Sequence, residues 1–313
     1  MTMAVIRKGV SMKDEKQVWL NGVFIPWSSA TVPILSHSFS RASAIFEIFR
    51  IHSGPDGPAA FRMDAHLKRL LNSAAFLEME LCYSVDTIAG AVAETVIRNN
   101  VLRGVVKIMA YWGEEAVIRL LPQSKPDLAI FAIPEMPEMN LDSREPVKTC
   151  ISKWRKIDPE TVPVSAKACS NYLNAYLARK DADARGFDIG IMLGTDGFVT
   201  EGSAESVFIV KDNIVKIPPL GRVLPGISRM SVLEMARSMD LETAEEILSM
   251  DDLYGADEIF LSHTGAKVEP VRQFEEKHLV APGPITCRLM EQMAKILAFQ
   301  DESYMKWMQK LSS

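Results

Sequence analysis

The segment VPVSAKACSNY, residues 162–172, places Lys167 among small and apolar neighbours. A lysine that becomes buried in such surroundings has a lowered pKa, because burial disfavours the charged ammonium. The neutral amine can then attack a carbonyl group and form a Schiff base. A solvated lysine ahead of a helix is the more ordinary explanation of the same segment, so the segment alone does not establish a reactive amine.

Four further segments carry groups that suit an anionic aromatic ligand. Glu201 follows a short apolar run and precedes small residues, which let a ligand approach the backbone closely. LPGISR, residues 224–229, opens a helix and SHTGA, residues 262–266, follows a strand; free N–H groups at both places can bind an anion. Arg62 stands before a helix, where its guanidinium can bind a phosphate with two hydrogen bonds. Each of these segments also has an ordinary explanation. Glu201 can be a solvated acid and Arg62 a surface arginine, while LPGISR can be a plain helix cap and SHTGA a polar loop.

Taken together, the segments supply an amine, a carboxylate, two anion sites and an arginine. This set suits pyridoxal 5′-phosphate, an aromatic aldehyde that carries a phosphate and that a lysine holds as a Schiff base. The hypothesis depends on the combination, since each segment alone has an ordinary explanation.

Ordered blocks across residues 17–300 match one known family. In the C-terminal half they are KACSNY (167–172), GFVTE (197–201) with Val207-Phe208, LPGISR (224–229) and SHT (262–264). In the N-terminal half they are NG (21–22), LSH (35–37), AIFE (44–47) with Arg50, and FR (61–62) with His66 and Arg69-Leu70. In these blocks the chain resembles the class IV aminotransferases, the fold-type IV pyridoxal-phosphate enzymes typified by branched-chain amino acid aminotransferase.

The resemblance implies a role for each block. Lys167 would carry the Schiff base and move a proton between the substrate α-carbon and the cofactor C4′. Tyr172 would hydrogen-bond the phenolic oxygen of the cofactor, and Glu201 would pair with its ring nitrogen. A carboxylate at that nitrogen favours its protonated form, which lets the ring accept electrons. The residues implied to hold the phosphate are Arg62, Ile227, Ser228 and Thr264.

The substrate positions depart from the branched-chain pattern. Arg41-Ala42 stand where those enzymes commonly have a Tyr-Gly pair, and Ile48 replaces a glycine. Lys107 lies in the block that usually holds a tyrosine and an arginine, and lysine does not reproduce the paired hydrogen bonds of a guanidinium. The change in the implied phosphate site is milder than those at the substrate positions, because Ser228 stands where the family usually has threonine, another hydroxyl residue. The candidate substrate contacts are Arg41, Phe46, Ile48, Lys107, Gly265 and Ala266.

Helical and strand patterns are mixed along the chain without strict alternation, which favours an α+β fold over a doubly wound sheet. The Asn21-Gly22 pair predicts a β-hairpin, and caps with apolar periodicity predict helices. The predicted strands are 18–20, 23–26, 44–52, 59–62, 105–112, 128–133, 189–193, 198–200, 206–210, 214–217 and 258–262, and the predicted helices are 64–79, 84–99, 171–185, 227–239 and 284–299.

The length of 313 residues is enough for two domains. We predict an N-terminal extension (1–16), a small N-terminal α/β domain (17–133), a proline-rich interdomain linker (134–146) and a larger C-terminal domain that binds pyridoxal phosphate (147–313). The family resemblance implies an active site between the domains. It also implies a homodimer, or a higher oligomer, in which subunits share loops at the active sites.

Composition argues against several classes of protein. Hydrophobic residues make up 48% and charged residues 24%, which rules out a mostly disordered chain. The net charge of −5 does not suit a nucleic-acid partner. No apolar run reaches the roughly 20 residues that a membrane helix needs, so no membrane partner is expected. Four scattered cysteines indicate a reducing compartment and hence a cytoplasmic protein, and the histidines show no spacing typical of a metal site.

The leading hypothesis is an aminotransferase of the branched-chain type that moves an amino group between an amino acid and a 2-oxo acid by a ping-pong mechanism. Within the family, a D-amino-acid transaminase, an amine transaminase and 4-amino-4-deoxychorismate lyase remain alternatives. The alternative of another class is a non-catalytic relative that keeps the fold, since the substrate positions depart from the pattern.

Overall fold

The computed structural model describes residues 16–136, 139 and 145–311. The predicted N-terminal extension lies outside this part of the chain apart from Lys16, and so does much of the predicted linker 134–146. The domain boundaries therefore stay a prediction. Within the described residues, the fold is built on two β-sheets with helices packed against them.

The described residues form fifteen strands. In chain order they are β1 (Gln17–Leu20), β2 (Val23–Pro26), β3 (Ile45–Gly54), β4 (Gly57–Phe61), β5 (Gly104–Tyr111), β6 (Asp127–Pro134), β7 (Val147–Ile151), β8 (Ile189–Ile191), β9 (Ser206–Lys211), β10 (Ile214–Ile217), β11 (Thr243–Glu245), β12 (Glu258–Ser262), β13 (Glu269–Phe274), β14 (Lys277–His278) and β15 (Met308–Lys310). The first sheet has the order β15-β4-β3-β5-β6-β1-β2 and is antiparallel throughout. The predicted Asn21-Gly22 hairpin is confirmed, with both residues at the positive φ that such a turn requires.

The second sheet has the order β11-β10-β9-β12-β13-β7-β8, with β14 attached to β13. Its pairs β10–β11, β13–β7 and β7–β8 are parallel, whereas β9 pairs antiparallel with both neighbours. An antiparallel sheet beside a mixed sheet confirms the predicted α+β class, because a doubly wound fold has one mainly parallel sheet.

The described residues also form seven α-helices. They are α1 (His37–Arg41), α2 (Met63–Phe76), α3 (Val85–Arg98), α4 (Tyr172–Ala184), α5 (Ile227–Ser238), α6 (Met250–Gly255) and α7 (Pro284–Leu297). α2 buries Leu67, Leu70 and Ala74, which share one helical face, in the core that also contains the first sheet. The five predicted helices are confirmed to within three residues at each end. None of the helices described is long and apolar enough to cross a bilayer.

The second sheet packs against α5 and α7 in a separate core. Phe208 and Phe260, on neighbouring strands, stack there with ring centroids 4.7 Å apart. Phe61 and Trp307, from the β4–β15 edge of the first sheet, belong to the same core. The two sheets are therefore joined through shared apolar side chains.

The predicted strand 198–200 is wrong. The chain turns at Thr195-Asp196-Gly197, and residues 198–201 then pair with residues 192–194 through an isolated bridge and three backbone hydrogen bonds without forming a continuous strand. The Asp196 carboxylate accepts from the Phe198 N–H at 3.2 Å, which bends the backbone where a strand would be extended. Conversely, β7, β13 and β15 lack a local pattern that would predict them, because distant partners stabilise them.

Candidate active site

One cleft contains six of the seven residues predicted to act on or hold the cofactor. They are Lys167, Tyr172, Glu201, Ile227, Ser228 and Thr264. They come from four places in the fold: the segment before α4 and its first residue, the loop after β8, the start of α5 and the turn after β12. The cleft therefore brings together motifs that are far apart in the sequence.

Lys167 is buried at the centre of the cleft. Its backbone N–H donates to the Ser73 hydroxyl on α2 at 2.9 Å, and its carbonyl accepts from the Phe46 N–H on β3 at 3.0 Å. Its Nζ lies 2.5 Å from the Tyr172 Oη. Burial, assisted by the positive charge of Arg69, lowers the pKa of Lys167 to about 7. The amine is therefore available as a nucleophile near neutral pH.

Tyr172 lies directly beside that amine. Burial raises the pKa of its phenol above the usual value, so the group stays protonated. Its ring also contacts the ring of Phe46, with centroids 4.8 Å apart. Lys167 and Phe46 together fix the position of the phenol in the cleft.

Glu201 faces the cleft as half of an ion pair. Its Oε1 lies 2.5 Å from the Nζ of Lys156, and its Oε2 accepts from the Leu224 N–H at 3.2 Å. Lys156 is buried and lines the same cleft, although no motif in the sequence singles it out. The pair holds the carboxylate in one orientation.

The structure does not bring Arg62 into the cleft, which corrects its predicted role. Arg62 directly precedes α2 with a φ of 52°, and its guanidinium pairs with Glu234 on α5 at 2.9 and 3.2 Å. It also lies 4.7 Å from the ring centroid of Trp307. These contacts join α2 to α5 and to the segment before β15, so Arg62 is a structural residue.

Arg69, two turns further along α2, is the arginine that lines the cleft. It forms paired hydrogen bonds with Glu47 on β3, Nε to Oε1 at 2.7 Å and Nη2 to Oε2 at 2.9 Å. Its Nη1 donates to the carbonyl of Pro225, just before α5, at 3.0 Å. Burial raises the pKa of Glu47, but the charge and hydrogen bonds of Arg69 outweigh it and lower that pKa to about 2. Glu47 is therefore an ionised anchor that orients Arg69.

His66 completes this buried cluster. Its Nδ1 lies 2.7 Å from the Glu47 Oε2, and burial lowers the pKa of the imidazole to about 4. The ring is thus neutral at physiological pH and donates to the carboxylate from Nδ1.

The start of α5 offers backbone donors to the cleft. Gly226 precedes the helix, and no side chain in the described part of the chain caps it. A Cβ atom on Gly226 would lie 3.1 Å from the Ser206 hydroxyl, so a larger residue would crowd this position. Free N–H groups at a helix start, with the Ser228 hydroxyl and Arg69 nearby, form a site that suits a phosphate.

The turn after β12 carries Thr264, Gly265 and Ala266. The Gly265 N–H donates to the Nδ1 of His263 at 3.1 Å. A Cβ on Gly265 would lie 2.8 Å from the same ring, so glycine lets the imidazole fold over the turn. Thr264 and His263 line the cleft, whereas the candidate substrate contacts Gly265 and Ala266 do not, and Ala266 is buried.

Among the other candidate substrate contacts, Phe46 lies close to Lys167, and Lys107 lies close to Phe46. The Nζ of Lys167 is 4.8 Å and the Nζ of Lys107 is 5.3 Å from the centroid of the Phe46 ring. Ile48 pairs directly with Lys107 across β3 and β5. Arg41 lies elsewhere, because its guanidinium donates to the carbonyls of Ala116 and Val117 in the loop after β5.

Arg69, Glu47 and Lys156 are the functional candidates that sequence reasoning missed. A usable signal existed for Arg69, since a charged residue on the apolar face of a predicted helix must have a buried partner. Glu47, between apolar residues of a predicted strand, carried the same signal. Nothing in the sequence around Lys156 marks it as buried.

The sequence matches the model of the family described as Amino-transferase class IV over residues 44–274. The branched-chain-amino-acid aminotransferase of Pseudomonas aeruginosa is 30% identical over 302 residues, which cover 95% of this chain and 98% of that protein. The branched-chain aminotransferase of Thermoproteus uzoniensis, solved with norvaline, superposes with a TM-score of 0.90 at 31% identity, covering 95% of this chain and 99% of that one.

A second solved relative is the branched-chain amino acid aminotransferase of Thermobaculum terrenum, whose structure is that of the PLP-bound holo-form. It superposes with a TM-score of 0.87 at 29% identity and covers 96% of this chain and 99% of that one. The family match spans the whole cleft, from Phe46 on β3 to the turn after β12. The chain therefore belongs to the class IV aminotransferases.

Proposed function

We propose that the protein is a pyridoxal 5′-phosphate-dependent aminotransferase that moves an amino group from an amino acid to a 2-oxo acid in two half-reactions. The observation that carries this proposal is the buried Lys167 amine, bonded to Tyr172 in a cleft that also presents Glu201 and the start of α5. The 4-amino-4-deoxychorismate lyase and D-amino-acid or amine transaminase alternatives are not favoured, because the matched relatives are named branched-chain aminotransferases.

The donors and acceptors of the cleft fit the cofactor group by group. Lys167 would hold the aldehyde carbon, Tyr172 the ring hydroxyl and Glu201 the ring nitrogen. Arg69 replaces Arg62 in the proposed phosphate site, beside the uncapped start of α5. When bound, the cofactor supplies an electrophilic carbon and an electron-accepting ring. The remaining members of the proposed phosphate site are Ile227, Ser228 and Thr264.

The residues of the cleft would move a proton and hold charge. With a pKa of about 7, the Nζ of Lys167 can accept a proton from the substrate α-carbon and give it back at neutral pH. Tyr172 keeps its own proton, and its hydroxyl holds the Lys167 amine in position by a hydrogen bond. Lys156 holds Glu201 as an oriented carboxylate, which would favour a protonated group placed against it.

We further propose that the amino acid has a branched or linear aliphatic side chain. A cavity of about 410 Å³ beside Cys169 is lined mainly by apolar residues, among them Ala44, Met109 and Phe131. Cys169 is two residues from Lys167 along the chain, and its N–H donates to the Ala44 carbonyl at 2.8 Å, so the cavity lies beside the backbone segment that carries the reactive lysine. An apolar cavity there favours an aliphatic side chain by burying its surface. The names of the relatives support the same class.

The decisive test is reconstitution of the purified protein with pyridoxal 5′-phosphate. We expect an absorbance band in the near ultraviolet to violet that borohydride reduction removes and that Lys167→Ala lacks. Leucine and related L-amino acids should then convert the band in a half-reaction, and 2-oxoglutarate should restore it. A wild-type protein without the band would overturn the proposal, and pyruvate release from aminodeoxychorismate without an acceptor would favour the lyase.

We also propose a cytoplasmic homodimer with shared active sites. Large apolar side chains are exposed on α1 and on the loop after β5, including Phe39 at 69% and Ile118 at 86%. The loop is held in place, because the His37 Nε2 lies 2.8 Å from the Leu120 carbonyl and Arg41 binds the Ala116 carbonyl. A rigid, exposed apolar surface of this kind suits a second copy of the chain. The four free cysteines support a reducing compartment.

A further inference from the structure

The face of the second sheet that packs against α5 ends in two serines at the cleft. Phe208 pairs directly with Phe260 across β9 and β12, and the next pair along the same face is Ser206 with Ser262. Opposed residues of an antiparallel pair share a face, and so do residues two apart along a strand. The aromatic pair lies in the core with α5, whereas both serines line the cleft. The two hydroxyls therefore lie where the core gives way to the ligand cleft.

Ser262 carries a buried hydroxyl that has no partner. The residue is 3% exposed, and its Oγ forms no hydrogen bond with any of the residues that the structure describes. Leaving a buried hydroxyl without a hydrogen bond costs free energy, so such an atom requires an explanation. Its cross-strand neighbour Ser206 is within reach, because opposed Cβ atoms of an antiparallel pair lie about 5 Å apart.

Ser206 lies beside the start of α5, where the phosphate site is proposed. A Cβ atom on Gly226, the residue before α5, would lie 3.1 Å from the Ser206 Oγ, so this hydroxyl is next to the backbone of Gly226. Ser206 is half-buried and lines the cleft together with Ser228 and Thr264. Among the described residues, none accepts a hydrogen bond from its hydroxyl. The Ser206 proton is therefore available to an anion at the start of α5.

The nearby carboxylates of the protein have other partners. Glu201, whose backbone forms a bridge to Ser206, pairs through its side chain with Lys156. The side chain of Glu205, which also lines the cleft, pairs with Arg179. Neither carboxylate is left for the serine, so we look for the acceptor in the ligand.

An anionic acceptor would give the two hydroxyls a direction. A serine hydroxyl donates one proton and can accept others at the same oxygen. When an anion accepts from Ser206, the Ser206 oxygen becomes a better acceptor for Ser262, because hydrogen bonds in a chain strengthen one another. An anion at the end of the chain therefore supplies a partner for both hydroxyls, including the buried one.

We propose that Ser206 and Ser262 bind the phosphate of the cofactor as a relay, in which Ser206 donates to a phosphate oxygen and Ser262 donates to Ser206. Ser262 is thus a positioning residue that acts through Ser206. This inference depends on the proposed aminotransferase function and adds two side chains to its phosphate site. The ligand class is a phosphate monoester, whose charge strengthens the hydrogen bond that it accepts.

The test titrates the full-length protein, freed of cofactor, with pyridoxal 5′-phosphate, with pyridoxal and with inorganic phosphate. Ser206→Ala should bind pyridoxal 5′-phosphate roughly tenfold more weakly or worse, because it removes a hydrogen bond to a charged group. Ser262→Ala should bind it about three- to fivefold more weakly, because it weakens that bond without removing it. Affinity for pyridoxal should stay within about twofold of wild type in both variants, and affinity for inorganic phosphate should fall in both.

A double variant distinguishes a relay from two independent contacts. If Ser262 acts through Ser206, adding Ser262→Ala to Ser206→Ala costs no further affinity for pyridoxal 5′-phosphate. Losses that add would contradict the relay. The cofactor-free Ser262→Ala protein should melt at the wild-type temperature or higher, because it loses no bond. A lower melting temperature would show that the hydroxyl has a partner without the ligand, against the inference.

A matched control is Thr286→Val on α7. Thr286 is 1% exposed, and its Oγ1 also lacks a partner among the residues that the structure describes, but it lies outside the cleft. We expect this variant to bind pyridoxal 5′-phosphate and inorganic phosphate as the wild type does. A loss as large as that of Ser262→Ala would show that removing any buried hydroxyl has this effect, and the inference would fail.

Unchanged affinity of Ser206→Ala for pyridoxal 5′-phosphate would overturn the inference, and so would an equal loss for pyridoxal. If Ser206→Ala does not fold, as judged by thermal unfolding, Ser206→Cys replaces it with the same expectation, because a thiol is a weak donor. A wild-type protein that forms no cofactor band would instead overturn the proposed function. The two failures are therefore distinguishable.

Discussion

Arg62 and Arg69 show how strongly the role of a residue depends on its partners. Both are arginines at the same helix, yet Arg62 is bound by Glu234 and Trp307, while Glu47 turns Arg69 towards the start of α5. Sequence reasoning selects Arg62 because it stands at a helix start, a position that often binds phosphate. The structure shows that the buried carboxylate on β3 decides which arginine reaches the cleft.

This difference gives a prediction with an internal control. Arg69→Met should weaken binding of pyridoxal 5′-phosphate to the apoprotein by roughly 30-fold or more, since a charge-assisted hydrogen bond contributes about 2 kcal/mol or more. Binding of pyridoxal, which lacks the phosphate, should change much less. Arg62→Met should leave the ratio of the two affinities unchanged even if it lowers the melting temperature. Equal losses for both cofactors in Arg69→Met would contradict the assignment.

The pKa of Lys167 gives a second prediction at this scale. Because that pKa is lowered to about 7, the amine is protonated below neutral pH and neutral above it. The rate at which the apoprotein forms the covalent cofactor band should therefore rise with pH and reach half its maximum near pH 7. A lysine of ordinary pKa would place the midpoint near 10. Stopped-flow absorbance from pH 5.5 to about 10.5 measures the profile, and a midpoint near 10 would refute a buried neutral amine.

At the scale of the element, local signals determine what the sequence predicts. The helices α2, α3, α5 and α7 carry caps or an apolar stripe within their own residues, so their bounds are predictable. β7 and β13 pair in parallel with each other although they are distant in sequence, and no local pattern encodes that pairing. The segment 198–200 fails as a strand for a local reason: the Asp196 side chain binds the Phe198 N–H in the turn, and the pairing with residues 192–194 that follows is irregular.

The difference between local signals and distant partners also decides which residues of the site are predictable. Lys167, Tyr172 and Glu201 are predictable because each lies in a short motif with its own chemistry. Lys156 is not, because what it does depends on an acceptor that the fold supplies, the Glu201 carboxylate. Residues that bind the ligand are thus easier to find from sequence than the residues that orient them.

At the scale of the whole molecule, the exposed apolar surface on α1 and the loop after β5 predicts the oligomeric state. We expect Ile118→Glu to convert the proposed dimer into monomers, because a charge buried in an apolar interface is costly. Val280, which is 84% exposed near the second sheet, provides the control, and Val280→Glu should stay dimeric. Size-exclusion chromatography with light scattering measures both. A wild-type protein that is monomeric at micromolar concentration would contradict the homodimer.

The pairing of β15 with β4 also bears on the order of assembly during synthesis. β4 is flanked by β3 on one side and by β15 on the other, and β15 comes after every strand of the second sheet in the chain. While the ribosome is still making the second sheet, β4 has an open edge with unsatisfied backbone groups, the kind of edge that invites pairing with other chains. The first sheet is thus the first to begin and the last to be completed. The edge of β4 (Gly57–Phe61) must be kept from pairing with other chains until β15 (Met308–Lys310) has been synthesised.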